Sequence, residues 1–99
     1  MRFDDAVTQA LDSLPAELRD AMSNVAIVVE EENREEPDLY GLFDWPEYMP
    51  AKISIYRLPL EESFPDPREL EEEIRITVLH ELAHYFGIDE ERLEELGYD

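Results

Sequence analysis

Residues 66–87 read DPRELEEEIRITVLHELAHYFG and predict the longest helix of the chain. Asp66 is a favourable N-cap residue, and Pro67 suits the first helical position because a helix leaves that N–H unbonded. Acidic residues fill the first turns, where the positive end of the helix dipole favours them. Gly87 is typical of the left-handed residue that ends a helix. We therefore expect a helix from Pro67 to Phe86.

The second half of this helix carries the motif His80-Glu81-Leu82-Ala83-His84, which contains both histidines of the chain. Positions four apart lie one turn apart on the same helix face, so both imidazoles can converge on one metal ion. Neutral imidazole nitrogen is a good zinc ligand. Glu81 lies about 100° further round the helix, where its carboxylate can reach a water on the metal without being a ligand. The pattern predicts a metal site with His80 and His84 as ligands.

A narrow polar strip runs along this half of the helix. From residue 74 onward, apolar side chains recur at helical spacing around most of the circumference. The remaining polar sector contains Glu73, Thr77, His80 and His84. A largely buried helix with one polar strip is typical of a site in a cleft.

The remaining sequence predicts helices and short strands. Apolar spacing predicts a helix over 3–12, followed by a short helix that Pro15 opens. Patterning predicts a buried strand at 25–30, a half-buried strand at 52–57 and a shorter strand at 39–43, where Gly41 indicates a bulge or a close backbone approach. We expect loop structure at 30–38, and irregular structure at 58–67, which contains three prolines. Asp89 is the expected N-cap of a final helix over 90–96.

The composition restricts what the chain can bind. It has 99 residues, 27 acidic against 8 basic side chains, a net charge of -19 and no cysteine. The length fits one domain over residues 1–99. Binding to nucleic acid or to an anionic membrane would need a basic surface, which this composition does not supply, and no apolar run is long enough for a membrane span. Because there is neither a signal-peptide pattern nor a disulfide, we expect a cytoplasmic protein in which nitrogen and oxygen hold any zinc.

The stretch from His80 to Glu90 resembles the extended zincin pattern His-Glu-x-x-His-x-x-Gly-x-x-(His/Asp/Glu). An acidic ending follows it through Gly97. The whole chain is similar to a family of small bacterial zincin-like metallopeptidases. The resemblance implies an α+β fold, in which a small mixed sheet packs against N-terminal helices and a long C-terminal motif helix, and an edge strand lines the cleft. It also implies one Zn²⁺ ion held by His80 and His84, with Glu81 as the general base.

The third metal ligand has several candidates. The resemblance implies that Gly87 lets the chain turn after the helix, so that a ligand swings back to the metal; by position that ligand is Glu90. Asp89, a water molecule and a more distant acid are the alternatives, although Asp89 also suits its helix N-cap. The chain departs from the metzincin pattern, which has histidine at the third position and a methionine turn after the motif.

The expected reaction is metal-assisted hydrolysis of a peptide or protein substrate, and the negative charge favours basic substrates. Glu81 would take a proton from the zinc-activated water and deliver it to the leaving amine. Trp45, Tyr48 and Met49 either line a substrate groove or fold over the core. Four tyrosines are candidates for the oxyanion-stabilising donor, and each could instead be a packing residue: Tyr48, Tyr56, Tyr85 and Tyr98.

Two other functions fit the same sequence. The small size and the open third ligand favour a non-catalytic metal-binding or protein-interaction module on a zincin scaffold. An adaptor whose acidic surface binds a basic partner would leave the motif incidental. The position of Glu81 between the histidines favours the enzyme, because a purely structural metal site has no need of that carboxylate.

Overall fold

The computed structural model describes residues 2–14, 16–22, 24–87, 91–92 and 95. Within these ranges the elements are α1 (Phe3–Asp12), α2 (Ala16–Ala21), β1 (Val25–Glu30), β2 (Gly41–Asp44), β3 (Ala51–Tyr56), α3 (Arg57–Ser63) and α4 (Pro67–Phe86). The architecture is α+β, as the sequence predicts. No helix among the described residues has both the length and the apolar character needed to cross a membrane.

Helix α4 begins and ends at the predicted residues. The Asp66 side chain accepts a hydrogen bond from the Arg68 backbone N–H at 2.8 Å, and Pro67 takes the first position. Gly87 ends the helix with φ 68° and ψ 28°, the left-handed conformation that glycine adopts without steric cost. Its N–H donates to carbonyl oxygens of the last turn. Local sequence therefore sets both ends of the helix that carries the motif.

The three strands form one mixed sheet in the order β1-β3-β2. The central strand β3 runs parallel to β1 and antiparallel to β2. The register places Ile27, Ile53 and Phe43 side by side across the sheet. Because alternate residues share a face, Gly41 and Ile55 lie on this same face, which packs against α4. The small mixed sheet of the prediction is confirmed, and β2 is the edge strand beside the motif helix.

Helix α4 lies at the centre of the core, in contact with β2, β3, α1 and α3. Burial of each large apolar side chain contributes about 1.5–3 kcal/mol to stability, so this helix is the main organiser of the fold. The buried apolar residues that form one cluster are Ala6, Val7, Ala10, Leu14, Ile53, Ile55, Leu60, Ile74, Val78, Leu79 and Leu82.

The burial of the strands differs from the prediction. The pattern predicts a buried strand at β1, but among the described residues it is an edge strand whose side chains are half-buried or exposed. Strand β3 was expected to be half-buried, but every residue except Lys52 is buried. The difference follows from the strand order, because a central strand is covered by a neighbour on each side and an edge strand is not.

The prediction of irregular structure at 58–67 is also wrong for the first half of this stretch. Helix α3 forms there, over Arg57–Ser63. Pro59 lies in the first turn of this helix, where no intrahelical hydrogen bond is lost. The predicted final helix over 90–96 and its N-cap Asp89 fall largely outside the described residues.

Candidate active site

The motif side chains lie on the part of α4 that faces strand β2. The ring centroids of His80 and His84 are 6.1 Å apart, with the rings nearly perpendicular at 87°. Their spacing places both rings one turn apart on one helix face, which is the arrangement that lets two imidazole nitrogens share a zinc ion. The His84 side chain is 58% exposed and that of Glu81 only 12%. The histidine is open to solvent, while the carboxylate beside it is mostly buried.

The surroundings of Glu81 suit it to proton transfer. Its Oε2 lies 3.5 Å from Nδ1 of His84, and the Phe43 backbone lies near enough to the carboxylate to lower its pKa. Burial raises the pKa of Glu81, and the two histidines and the Phe43 backbone offset part of this effect. A carboxylate with a raised pKa is a better proton acceptor near neutral pH than an exposed one.

Strand β2 approaches α4 so closely at Gly41 that no side chain fits there. A Cβ atom at this position would lie 2.8 Å from Thr77 Cγ2, 3.1 Å from Glu81 Cγ and 3.2 Å from the Ser54 carbonyl oxygen. Of the two predicted roles for Gly41, the structure supports the close backbone approach. This contact holds β2 against the motif, where the Phe43 backbone lies near Glu81.

An aromatic cluster borders the site near His84. The rings of Phe43, Trp45 and Tyr85 are in mutual contact, with centroid distances of 5.6–6.2 Å. The Trp45 side chain is nevertheless 64% exposed, as is that of Met49, and Tyr48 is 96% exposed. These three loop residues are exposed, and their role in lining a substrate groove stays a prediction.

The tyrosine candidates for an oxyanion donor occupy different surroundings. Tyr56 is 2% exposed, and its hydroxyl accepts a hydrogen bond from the Asn33 side-chain amide at 3.0 Å. Strand alternation places Tyr56 on the sheet face away from α4. Tyr85 packs in the aromatic cluster next to His84. Tyr98 lies outside the described residues, so Tyr85 is the described candidate nearest the motif.

The described ranges contain no group of three or more histidine, cysteine, aspartate or glutamate side chains arranged to hold a metal ion. The predicted ligand Glu90 and its rival Asp89 lie outside those ranges, so the third ligand stays a prediction. The described residues supply the imidazoles of His80 and His84, with the mostly buried side chain of Glu81 beside them. Nitrogen and oxygen donors of this kind suit zinc.

Sequence reasoning missed the Phe43 backbone as part of the site. A backbone group carries no signal in residue type, and only the packing of β2 on α4 brings this one to Glu81. The weak signal available was Gly41, which marks the point of closest approach.

Comparison with known families identifies the class of protein to which this fold and motif belong. The sequence model of the zincin-like metallopeptidases matches residues 22–98, which include the whole sheet, α3, α4 and the motif. The chain therefore belongs to the zincin-like metallopeptidase family, whose members generally bind zinc. No curated protein matches the chain.

Proposed function

We propose that this protein is a zinc-dependent peptidase, with His80 and His84 as metal ligands and Glu81 as the general base. The observation that carries the proposal is the Glu81 side chain, which is only 12% exposed although it lies beside two histidines. Burying a charged group is costly, and a site that merely held metal would gain nothing from it. Membership of the family supports the same class of activity.

Each residue of the motif has a distinct role in the proposed hydrolysis. The chemistry supplied by zinc at this site would be Lewis acidity toward a water molecule and the scissile carbonyl. Glu81 accepts a proton from the attacking water and later donates it to the nitrogen of the leaving amine. The close packing of strand β2 at Gly41, where an added Cβ would lie 3.1 Å from Glu81 Cγ, restricts the Glu81 side chain during both transfers.

Strand β2 provides a surface along which the substrate can extend. Within the described residues it is an edge of the sheet, and such an edge presents unpaired N–H and C=O groups. An extended peptide can add to this edge through main-chain hydrogen bonds. The exposed side chains of Trp45 and Met49 would then contact apolar substrate groups. The net charge of -19 favours a basic peptide or protein.

Glu90 is our proposed third ligand, with Asp89 and water as the alternatives. Both acids follow Gly87, whose left-handed conformation turns the chain at the end of α4. Zinc titration of the Glu90→Gln and Asp89→Asn variants separates them. We expect zinc affinity to fall by at least tenfold in Glu90→Gln only, because loss of one of three protein ligands weakens binding. The reverse pattern would assign Asp89, and an equal affinity in both variants would assign water or another acid.

The test of the function combines metal analysis with cleavage of a broad peptide library. We expect wild type to bind one zinc ion, and Glu81→Gln to keep the metal but lose at least about 100-fold in kcat/KM. His84→Ala should lose the metal. Glu71→Gln is the matched control, because Glu71 is exposed on the same helix but lies in the groove beside α1. It should behave as wild type.

The possible outcomes separate the enzyme from its alternative. Zinc binding without any Glu81-dependent cleavage would replace the peptidase with a non-catalytic module on the zincin scaffold. Failure to bind zinc after reconstitution would refute both functions.

A further inference from the structure

An open groove of about 250 Å³ begins at His80 and Glu81 and runs toward the N-terminus of α4. One wall is the chain leading into β2, and the other is the polar strip of the helix. The residues that line it beyond the two motif side chains are Leu39, Tyr40, Gly41, Glu73, Ile76 and Thr77. The groove is therefore contiguous with the proposed reaction site but extends away from it.

The walls of this groove are largely apolar. Leu39, Tyr40 and Ile76 contribute apolar surface. The Thr77 hydroxyl donates to the Glu73 carbonyl oxygen at 2.7 Å, so this polar group is already satisfied within the helix. The Thr77 methyl group is the atom that faces Gly41. Such walls suit the methylene stem of a long side chain.

Glu73 supplies a charge at the end of the groove away from His80. It lies seven residues before His80, which corresponds to about 10 Å along the helix axis. Its side chain is half-buried and lines the groove. The ion pairs that Lys52, Arg57 and Arg75 make with Glu30, Glu31, Glu61 and Glu72 do not involve the Glu73 carboxylate.

We infer that this groove selects a lysine or arginine side chain of the substrate, with Glu73 as the specificity-determining residue. The inference rests on the proposed peptidase function and names its substrate class. An extended lysine side chain spans about 6 Å from Cα to Nζ, so a residue bound close to His80 reaches toward Glu73. The apolar walls cover the stem, and the carboxylate pairs with the terminal cation. The overall negative charge attracts any cation, whereas Glu73 acts at one substrate position.

The test uses two peptide series. In one series each position in turn is lysine, and in the other it is norleucine. Norleucine keeps most of the aliphatic stem of lysine but lacks the ammonium group. For wild type we expect a lysine preference of about tenfold in kcat/KM at one position next to the cleaved bond. Glu73→Gln should abolish that preference, so that the lysine peptide is cleaved no better than the norleucine peptide. Glu71→Gln removes the same charge from the same helix outside the groove, and it should keep the preference.

A binding measurement separates this inference from the proposed function. Glu81→Gln protein, with and without the additional Glu73→Gln change, is titrated calorimetrically with the uncleaved lysine and norleucine peptides. Tighter binding of the lysine peptide that depends on Glu73 supports the groove, whether or not wild type cleaves anything. Equal binding of the two peptides, or a lysine preference that survives Glu73→Gln, overturns it. If Glu71→Gln loses as much of the lysine preference as Glu73→Gln, the preference follows from net charge and not from the groove. That result would also overturn the inference.

Discussion

Replacement of Gly41 by alanine tests whether the close packing of β2 on α4 builds the site. The new Cβ would lie 2.8 Å from Thr77 Cγ2, whereas carbon atoms in favourable contact are about 3.5–4.0 Å apart. Thr77 cannot easily move away, because it is 7% exposed and its hydroxyl is bonded to the Glu73 carbonyl. The Ser54 carbonyl oxygen, at 3.2 Å, belongs to the central strand. The strand and the helix must therefore separate by roughly 0.7 Å.

The expected cost follows from two opposing effects. Overpacking of this kind costs about 1–3 kcal/mol, while alanine in place of glycine stabilises by about 0.4–1 kcal/mol through the unfolded chain. We expect Gly41→Ala to lower the free energy of unfolding by about 1–2 kcal/mol. For a chain of this length that corresponds to a fall in Tm of roughly 5–15 °C. Urea unfolding of the metal-free protein, followed by circular dichroism, measures the difference.

A second substitution identifies the atom responsible. Thr77→Ser removes Cγ2 but keeps the hydroxyl that bonds to the Glu73 carbonyl. In this background the cost of Gly41→Ala should fall by at least about 0.5 kcal/mol, which a double-mutant cycle resolves. If Gly41→Ala is as stable as wild type, or costs the same in both backgrounds, the close contact at Thr77 does not restrict this position.

Three further predictions address the site and its helix. In the metal-free protein at neutral pH, Glu81→Gln should raise the free energy of unfolding, because burial raises the pKa of Glu81 and the folded state disfavours its charged form. This gain should shrink as the pH falls through the raised pKa, since Glu81 is then protonated in the folded state; a gain independent of pH in urea titrations would contradict the assignment. Asp66→Ala should cost about 1 kcal/mol in urea unfolding through loss of the cap on the Arg68 N–H, and Asp66→Asn should retain most of the stability. Trp45→Ala should lower the free energy of unfolding by about 0.5–1.5 kcal/mol, because the residue is 64% exposed but its ring contacts those of Phe43 and Tyr85, and it should weaken peptide binding in calorimetry; unchanged affinity would argue against a groove there.

Much of the candidate site could be predicted because its signals are local. The spacing of His80 and His84 places both on one helix face wherever that helix packs. Asp66 and Gly87 set the ends of the helix through contacts within one turn. The third ligand could not be predicted in the same way, because its position depends on how the chain returns after Gly87.

The surroundings of Glu81 depend on packing between distant segments. Its burial, its raised pKa and its proximity to the Phe43 backbone all require β2 to lie against α4. The sequence indicated a close approach at Gly41, but it did not identify α4 as the neighbour. The acidic residue Glu73 likewise belonged to a predicted polar strip, and only the facing chain at 39–41 turns that strip into one wall of a groove.

The motif helix, its ends and the common face of the two histidines are fixed locally, because each follows from residues within a few positions of one another. The central place of β3 and the edge position of β1 among the described strands are set by tertiary pairing, since strand order depends on segments far apart in the chain. The same is true of the burial of Glu81. A helix can present a carboxylate beside two histidines, but another part of the chain must exclude water from it, and here that part is strand β2.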